Sequence, residues 1–207
     1  MKLRRSVTGV CAALMMVIGG VMGWGDPMAT AASVPAKAYF AGGCFWCMEE
    51  AFEKVDGVIS AVSGYMGGTV AHPTYEQVSA GKTGHAESVE VTYDPAKVSY
   101  QKLLDAFWHN VDPLTANAQF CDHGSQYRAE IFPTTPEEQQ SAEVSKKALE
   151  QSPRFTAPIV TRISLASTFY PAEDYHQDFY KKNPVRYKFY KYNCGRAQRL
   201  EELWGKP

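Results

Sequence analysis

Ala41-Gly42-Gly43-Cys44-Phe45-Trp46-Cys47-Met48-Glu49-Glu50 decides how the chain is read. It follows a short apolar run and opens an amphipathic helix. Phe45, Met48, Phe52 and Val55 recur at the spacing of one helix face, and Asp56-Gly57 closes the pattern. Cys44 therefore falls at or just before a helix N-terminus, where unpaired backbone N–H groups and the helix dipole favour an anion. An ordinary cysteine, with a pKa of about 8.5, is only a few per cent thiolate at neutral pH. At a helix start that fraction is expected to rise, making the sulfur a better nucleophile. Gly42 and Gly43 allow a tight turn and leave room for a substrate. The pattern is a reactive cysteine on a strand–turn–helix.

The first residues are a different material. Lys2, Arg4 and Arg5 precede an apolar run from Val7 to about Met22, and small residues follow at Ala29-Thr30-Ala31. That is the order of a secretory signal peptide, with cleavage after Ala31 or Ala32. The alternative is an uncleaved membrane anchor, against which the run is short of the roughly 20 residues a spanning helix needs. Cys11 lies inside the run and leaves with the peptide. The mature chain, residues 33–207, keeps Cys44, Cys47, Cys121 and Cys194 and is expected in an oxidising compartment, as an exported, periplasmic protein.

Composition fits a folded domain, with 45% hydrophobic and 21% charged residues. A net charge of −1 gives no reason to expect nucleic acid or a charged surface as partner. Residues 33–207 suit one core, with no internal repeat or low-complexity linker. After the first helix, Val58 to Tyr65 reads as a strand and Tyr75 to Ala80 as a short helix. Ala86 to Tyr93 is a second strand, and Ser99 caps a helix running to His109. A strand from about Gln126 to Phe132 follows. Thr135-Pro136-Glu137-Glu138 then opens a helix to about Gln151, and Ile159 to Ile163 is the next strand. Helices alternate with few strands, which predicts a two-layer α+β domain.

The second strand carries the next clue. Side chains alternate faces along a strand, so Glu87 shares a face with Val89, Val91 and Tyr93. A carboxyl group there is desolvated, its charged form is disfavoured, and its pKa should rise, as a proton donor near neutral pH requires. The plain alternative is an exposed or lysine-paired glutamate at a strand end. Tyr127 shares a face with Ala129 and Ile131 and reads as a core tyrosine whose hydroxyl needs a partner.

Several motifs now resemble one known family. They are Gly43-Cys44-Phe45-Trp46, Pro73-Thr74-Tyr75-Glu76-Gln77-Val78 and Gly81-Lys82-Thr83-Gly84-His85-Ala86-Glu87. Asp122-His123-Gly124-Ser125-Gln126-Tyr127-Arg128 and Phe169-Tyr170-Pro171-Ala172-Glu173-Asp174-Tyr175-His176-Gln177 continue the series. In that order, from about Tyr39 to Tyr180, they are similar to the peptide methionine sulfoxide reductases of the A type. The resemblance implies a ferredoxin-like α/β sandwich, here with a long irregular C-terminal segment. It also implies reduction of the S epimer of methionine sulfoxide, free or in proteins, as repair of oxidative damage. No metal or organic cofactor is implied. An external thioredoxin-type dithiol restores the reduced enzyme, and the chain is expected to act as a monomer.

The resemblance also assigns roles. A sulfoxide sulfur is electrophilic but its oxygen leaves poorly, so a soft nucleophile and a proton donor must act together. Cys44 attacks sulfur, and Glu87, neutral in the free site, protonates the oxygen. Tyr75 and Tyr127 hold that oxygen by hydrogen bonds, and Asp122 positions groups at the edge. Phe45 and Trp46 wall the pocket for the S-methyl group. Cys44 becomes a sulfenic acid, which a second thiol condenses to a disulfide. Many relatives carry glycine where Cys47 stands and place resolving cysteines in a glycine-rich tail. Here the candidates are Cys194 first, in the tail, then Cys47, one helical turn from Cys44, then Cys121 beside Asp122.

Two rival readings exist. Cys44-Phe45-Trp46-Cys47 after a strand is also the local signature of a thioredoxin-like thiol–disulfide oxidoreductase, which would give Glu87 no role. A non-enzymatic secreted domain stapled by disulfides or zinc is the other, but no second close pair accompanies Cys44 and Cys47. His85 and His123 are left as supporting residues, since nothing places either against the thiol. The basic, aromatic stretch from Lys181 to Arg199 reads as a strand or extended segment packed on the domain. No nucleic acid and no stable membrane partner are expected.

Overall fold

The computed structural model describes residues 33–206, so the segment read as a signal peptide, with Cys11, lies outside the described residues. The chain runs through β1 (Ala36–Gly42), α1 (Phe45–Glu53), β2 (Val58–Met66), α2 (Tyr75–Ser79), β3 (Ala86–Tyr93) and α3 (Tyr100–Trp108). The short strands β4 (Ala118–Gln119) and β5 (Asp122–His123) pair with each other. Then come a 3₁₀ turn (Ser125–Tyr127), β6 (Ala129–Phe132), α4 (Pro136–Glu150), β7 (Arg162–Ile163) and β8 (Tyr170–Pro171). Three helices end the chain: α5 (Phe179–Lys182), α6 (Pro184–Asn193) and α7 (Arg196–Trp204).

The main sheet has the order β7-β6-β1-β3-β2-β8. Its centre, β6-β1-β3-β2, is antiparallel at each neighbouring pair. With α1 after β1 and α3 after β3, this is the split β-α-β-β-α-β arrangement of the ferredoxin-like fold that the family resemblance implied. The helices α1 and α3 cover one face of the sheet. Phe40 of β1 stacks on Phe52 of α1 at 4.8 Å and on Phe107 of α3 at 5.4 Å. All three rings are buried, and each contributes about 1.5–3 kcal/mol of burial.

The local signals that start the helices are present. Thr74 and Gln77 form a reciprocal capping box on α2, Ser99 caps α3, and Thr135 caps α4 with Pro136 in the first turn.

Three expectations need correction. Residues 125–127 form a 3₁₀ turn, so Tyr127 is aimed by that turn and not by strand alternation. The strand expected over Ile159 to Ile163 is reduced to Arg162–Ile163. The C-terminal segment, expected to be irregular or extended, is largely helical. Tyr187 and Tyr190, three apart, lie on the inner side of α6, whereas Phe189 and Tyr192 are 72% and 85% exposed. Helical spacing, not the alternation of charge and ring along the sequence, governs that segment.

Candidate active site

The register of the sheet builds the site. Phe40 pairs with Val89 at the end of the β1–β3 ladder, and the chain leaving β1 there runs toward Glu87, two residues before Val89. Beyond β1 the backbone turns through Gly43 at φ +79°, where a Cβ would lie 2.5 Å from the Gln119 side chain. No residue other than glycine fits that turn. Cys44 is the N-cap of α1, as expected, but its sulfur makes no capping hydrogen bond. The Phe45 N–H donates to Glu87 Oε2 at 3.0 Å.

A narrow cavity of about 70 Å³ is lined by Cys44, Phe45, Trp46, Tyr75, Glu87, Asp122, Tyr127 and Tyr190. Seven of these are the residues singled out in the sequence. Larger hollows occur on the surface, such as one of about 630 Å³ bounded by Lys54, Val98 and His109, but neither Cys44 nor Cys47 lines that one.

Glu87 is 3% exposed, and burial pushes its carboxyl up to about 8 despite the opposing bond from Phe45. Asp122 across the cavity pushes the same way. Glu87 thus holds its proton at neutral pH. Burial also raises the phenol of Tyr75 to about 12 and that of Tyr127 further, and Glu87, once ionised at higher pH, adds to both. Both remain hydrogen-bond donors at any working pH. Asp122, raised by burial, accepts a hydrogen bond from the Tyr190 hydroxyl.

The cysteine pair differs from the expectation. Burial pushes the Cys44 thiol up, and Cys47 beside it pushes further. Cys47 is lowered to about 6, first by a hydrogen bond from Cys44, then by the charges of Arg196 and Lys191 and a bond from Tyr187. The resting negative charge therefore sits on Cys47, and Cys44 donates its proton toward it. The physical reasons are the burial of the Cys44 sulfur and the second thiol beside it, while the Phe45 N–H at the helix start is given to Glu87.

Arg196 is buried, with its guanidinium bonded to the Asn110 carbonyl and the Met48 sulfur and stacked on Phe120. Cys121 and Cys194 form a disulfide, and Cys44 and Cys47 are free. Of the three candidates to resolve Cys44, the structure thus brings Cys47 against it and joins the other two to each other.

Sequence reasoning did not reach the supports. Glu173 accepts from the Tyr75 N–H and the Tyr65 hydroxyl, both at 2.8 Å. The Trp46 indole donates to His176 Nδ1 at 3.1 Å, and Trp46 stacks on Phe179 at 3.8 Å. Gln177 bridges the backbone of Ser63 and Ala172. The motif around residues 169–177 is therefore a brace for the pocket walls. Its density of polar residues was a signal, though not one that names partners. His85 holds the Gly68 N–H and the Val70 carbonyl, away from the thiols. Tyr190 had no separate signal among the tail aromatics.

A family model described as "Peptide methionine sulfoxide reductase" matches residues 36–207. The chain is 51% identical to the peptide methionine sulfoxide reductase MsrA of Listeria innocua over 168 residues, 81% of this chain and 95% of the relative. It is equally 51% identical to that of Halalkalibacterium halodurans over 170 residues, 82% of this chain and 97% of the relative. Among solved structures, it resembles Mxr1 from Saccharomyces cerevisiae in reduced form, with a TM-score of 0.67 and 32% identity. That match covers 73% of this chain and 87% of the other. The methionine sulfoxide reductase A of Corynebacterium diphtheriae gives a TM-score of 0.66 and 33% identity, covering 73% of this chain and 76% of that one.

Proposed function

From the premise that the chain belongs to the peptide methionine sulfoxide reductase family and is an oxidoreductase that reduces methionine sulfoxide, we propose a division of labour among its residues. Cys44 is the nucleophile, Glu87 the acid, Tyr75 and Tyr127 the donors that hold the sulfoxide oxygen, and Asp122 a positioning group. Phe45 and Trp46 receive the S-methyl group. The observation that carries this reading is the buried, protonated Glu87 lining the same small cavity as Cys44.

In the first step Cys44 yields its proton to Cys47, and its sulfur attacks the sulfoxide sulfur. Glu87 gives its proton to the oxygen, whose growing negative charge the two tyrosine hydroxyls stabilise. The hydroxyl ends on Cys44 as a sulfenic acid, and the thioether leaves. Two electrons pass from Cys44 to the sulfoxide. In the second step Cys47 attacks the sulfenic sulfur, and the Cys47 proton and the hydroxyl depart as water. The product is a Cys44–Cys47 disulfide. One negative charge has moved from Cys47 to Glu87, and Glu87 regains a proton from solvent when an external thioredoxin-type dithiol reduces the disulfide.

The S epimer is the expected substrate, as the likeness to the A-type reductases implies, and the oxygen donors and apolar wall are the groups that would tell the epimers apart. We also read the protein as exported and periplasmic, from the charged–apolar–small order of its first residues. No cofactor enters this scheme. Glu87→Gln tests the reading: it should keep the fold and slow the chemical step by roughly 10²–10⁴-fold. Normal turnover would remove Glu87 from the mechanism.

A further inference from the structure

Seven side chains lining the cavity come from the sheet, its first helices and their connections; the eighth, Tyr190, comes from α6. Its hydroxyl donates to Asp122, and the residue lines the same narrow cavity as Cys44. Its ring meets Trp46 edge-on, with centroids 5.9 Å apart and planes at 83°. A polar oxygen therefore already stands before the nucleophile, where an incoming sulfoxide has to go. One helical turn beyond, Cys194 is bonded to Cys121, the residue preceding Asp122. The hydrogen bond from Tyr190 to Asp122 and the covalent bond from Cys194 to Cys121 thus tie the same two segments together.

Resting on the assignment of Cys44 as nucleophile, we propose that Tyr190 is a specificity-determining plug of the sulfoxide pocket, held in place by the Cys121–Cys194 disulfide. The seated phenol occupies cavity space between the nucleophile and Asp122 that the substrate has to take. Apparent affinity is the intrinsic affinity reduced by the fraction of molecules with the plug withdrawn. A hydrogen bond to a half-buried carboxylate shifts such an equilibrium by about ten-fold or more. Reducing the disulfide loosens the seat. A dithiol attacks one of the two sulfurs, closes its own disulfide, and leaves its two hydrogens on Cys121 and Cys194. The same class of reductant that recycles Cys44 thereby opens the pocket.

The test is single-turnover reduction of methionine sulfoxide by the full chain with Cys121–Cys194 intact, compared with Tyr190→Phe. The half-saturating concentration should fall about ten-fold in the variant. An unchanged half-saturation overturns the proposal, and so does a fall in limiting rate with half-saturation unmoved, which would make Tyr190 a substrate ligand. The Cys121→Ser/Cys194→Ser double variant should move half-saturation in the same direction, and parental behaviour there overturns the tether. Absence of turnover in the parent enzyme would count against Cys44 chemistry, a separate failure.

Discussion

The backbone N–H of Phe45 points at the carboxyl of Glu87, 3.0 Å away, and not at the sulfur of Cys44. The bond works against the Glu87 proton, which burial nevertheless retains. It anchors the acid beside the nucleophile, and it withdraws from Cys44 the helix-end stabilisation its position suggests. The anion then rests one turn along, on Cys47, where Arg196, Tyr187 and Lys191 receive it.

Glu87 should be read in stability as well as rate. Its folded pKa, about 8, lies above the ordinary 4.5, so between those values the folded state holds a proton that the unfolded state has lost. Stability therefore falls as pH rises through that window, by about 1.4 kcal/mol for each pH unit. Glu87→Gln should melt higher than the parent, with a larger gap at pH 8 than at pH 5. An equal gap at both would mean that Glu87 is not held protonated. In the parent, the rate of the chemical step should drop as pH passes about 8.

Cys47→Ser should still release one equivalent of methionine from a stoichiometric reaction, but sulfenic acid should then persist on Cys44. Trapping it with a sulfenic-acid reagent and mass mapping measures this. Steady turnover with a dithiol should fall well below the parent, and full turnover would deny Cys47 both its roles.

Arg196→Met keeps a long apolar side chain and removes the buried cation. The thiolate seen by ultraviolet absorbance, titrating near 6 in the parent, should then titrate higher. An unmoved titration would show that Arg196 does not hold the Cys47 charge.

Tyr75→Phe and Tyr127→Phe each delete one donor to the sulfoxide oxygen while leaving the ring. Each should lower the limiting rate by about 10²-fold. A change confined to half-saturation would mean that the hydroxyl binds the ground state only.

The Cys121–Cys194 disulfide closes a loop spanning 73 residues, which by the chain-entropy account contributes about 4 kcal/mol. The double serine variant should melt well below the oxidised parent, and added reductant should lower the parent toward it.

Much of this site was legible before the fold. Strand alternation put Glu87 on the face of Val89 and Val91 while leaving an exposed strand-end glutamate open, and the 3.6-residue spacing of Phe45, Met48 and Phe52 placed Cys44 at the start of α1. What escaped depended on which segments meet. The N–H that Cys44 forgoes goes to a residue 42 positions away, through a strand register that no local pattern encodes. The tail misled because Arg186-Tyr187-Lys188-Phe189 alternates in type like a strand, while its burial follows Tyr187 and Tyr190 on a helix. Tyr190 matters through partners on β5 and α1, which its own neighbours in sequence do not announce.

The most direct test is to mix the reduced enzyme with each methionine sulfoxide epimer separately, without added reductant, and then identify the partner of Cys44. The account predicts methionine from the S epimer alone and a new Cys44–Cys47 disulfide. Methionine from neither epimer, or Cys44 left as an unreacted thiol, would contradict it.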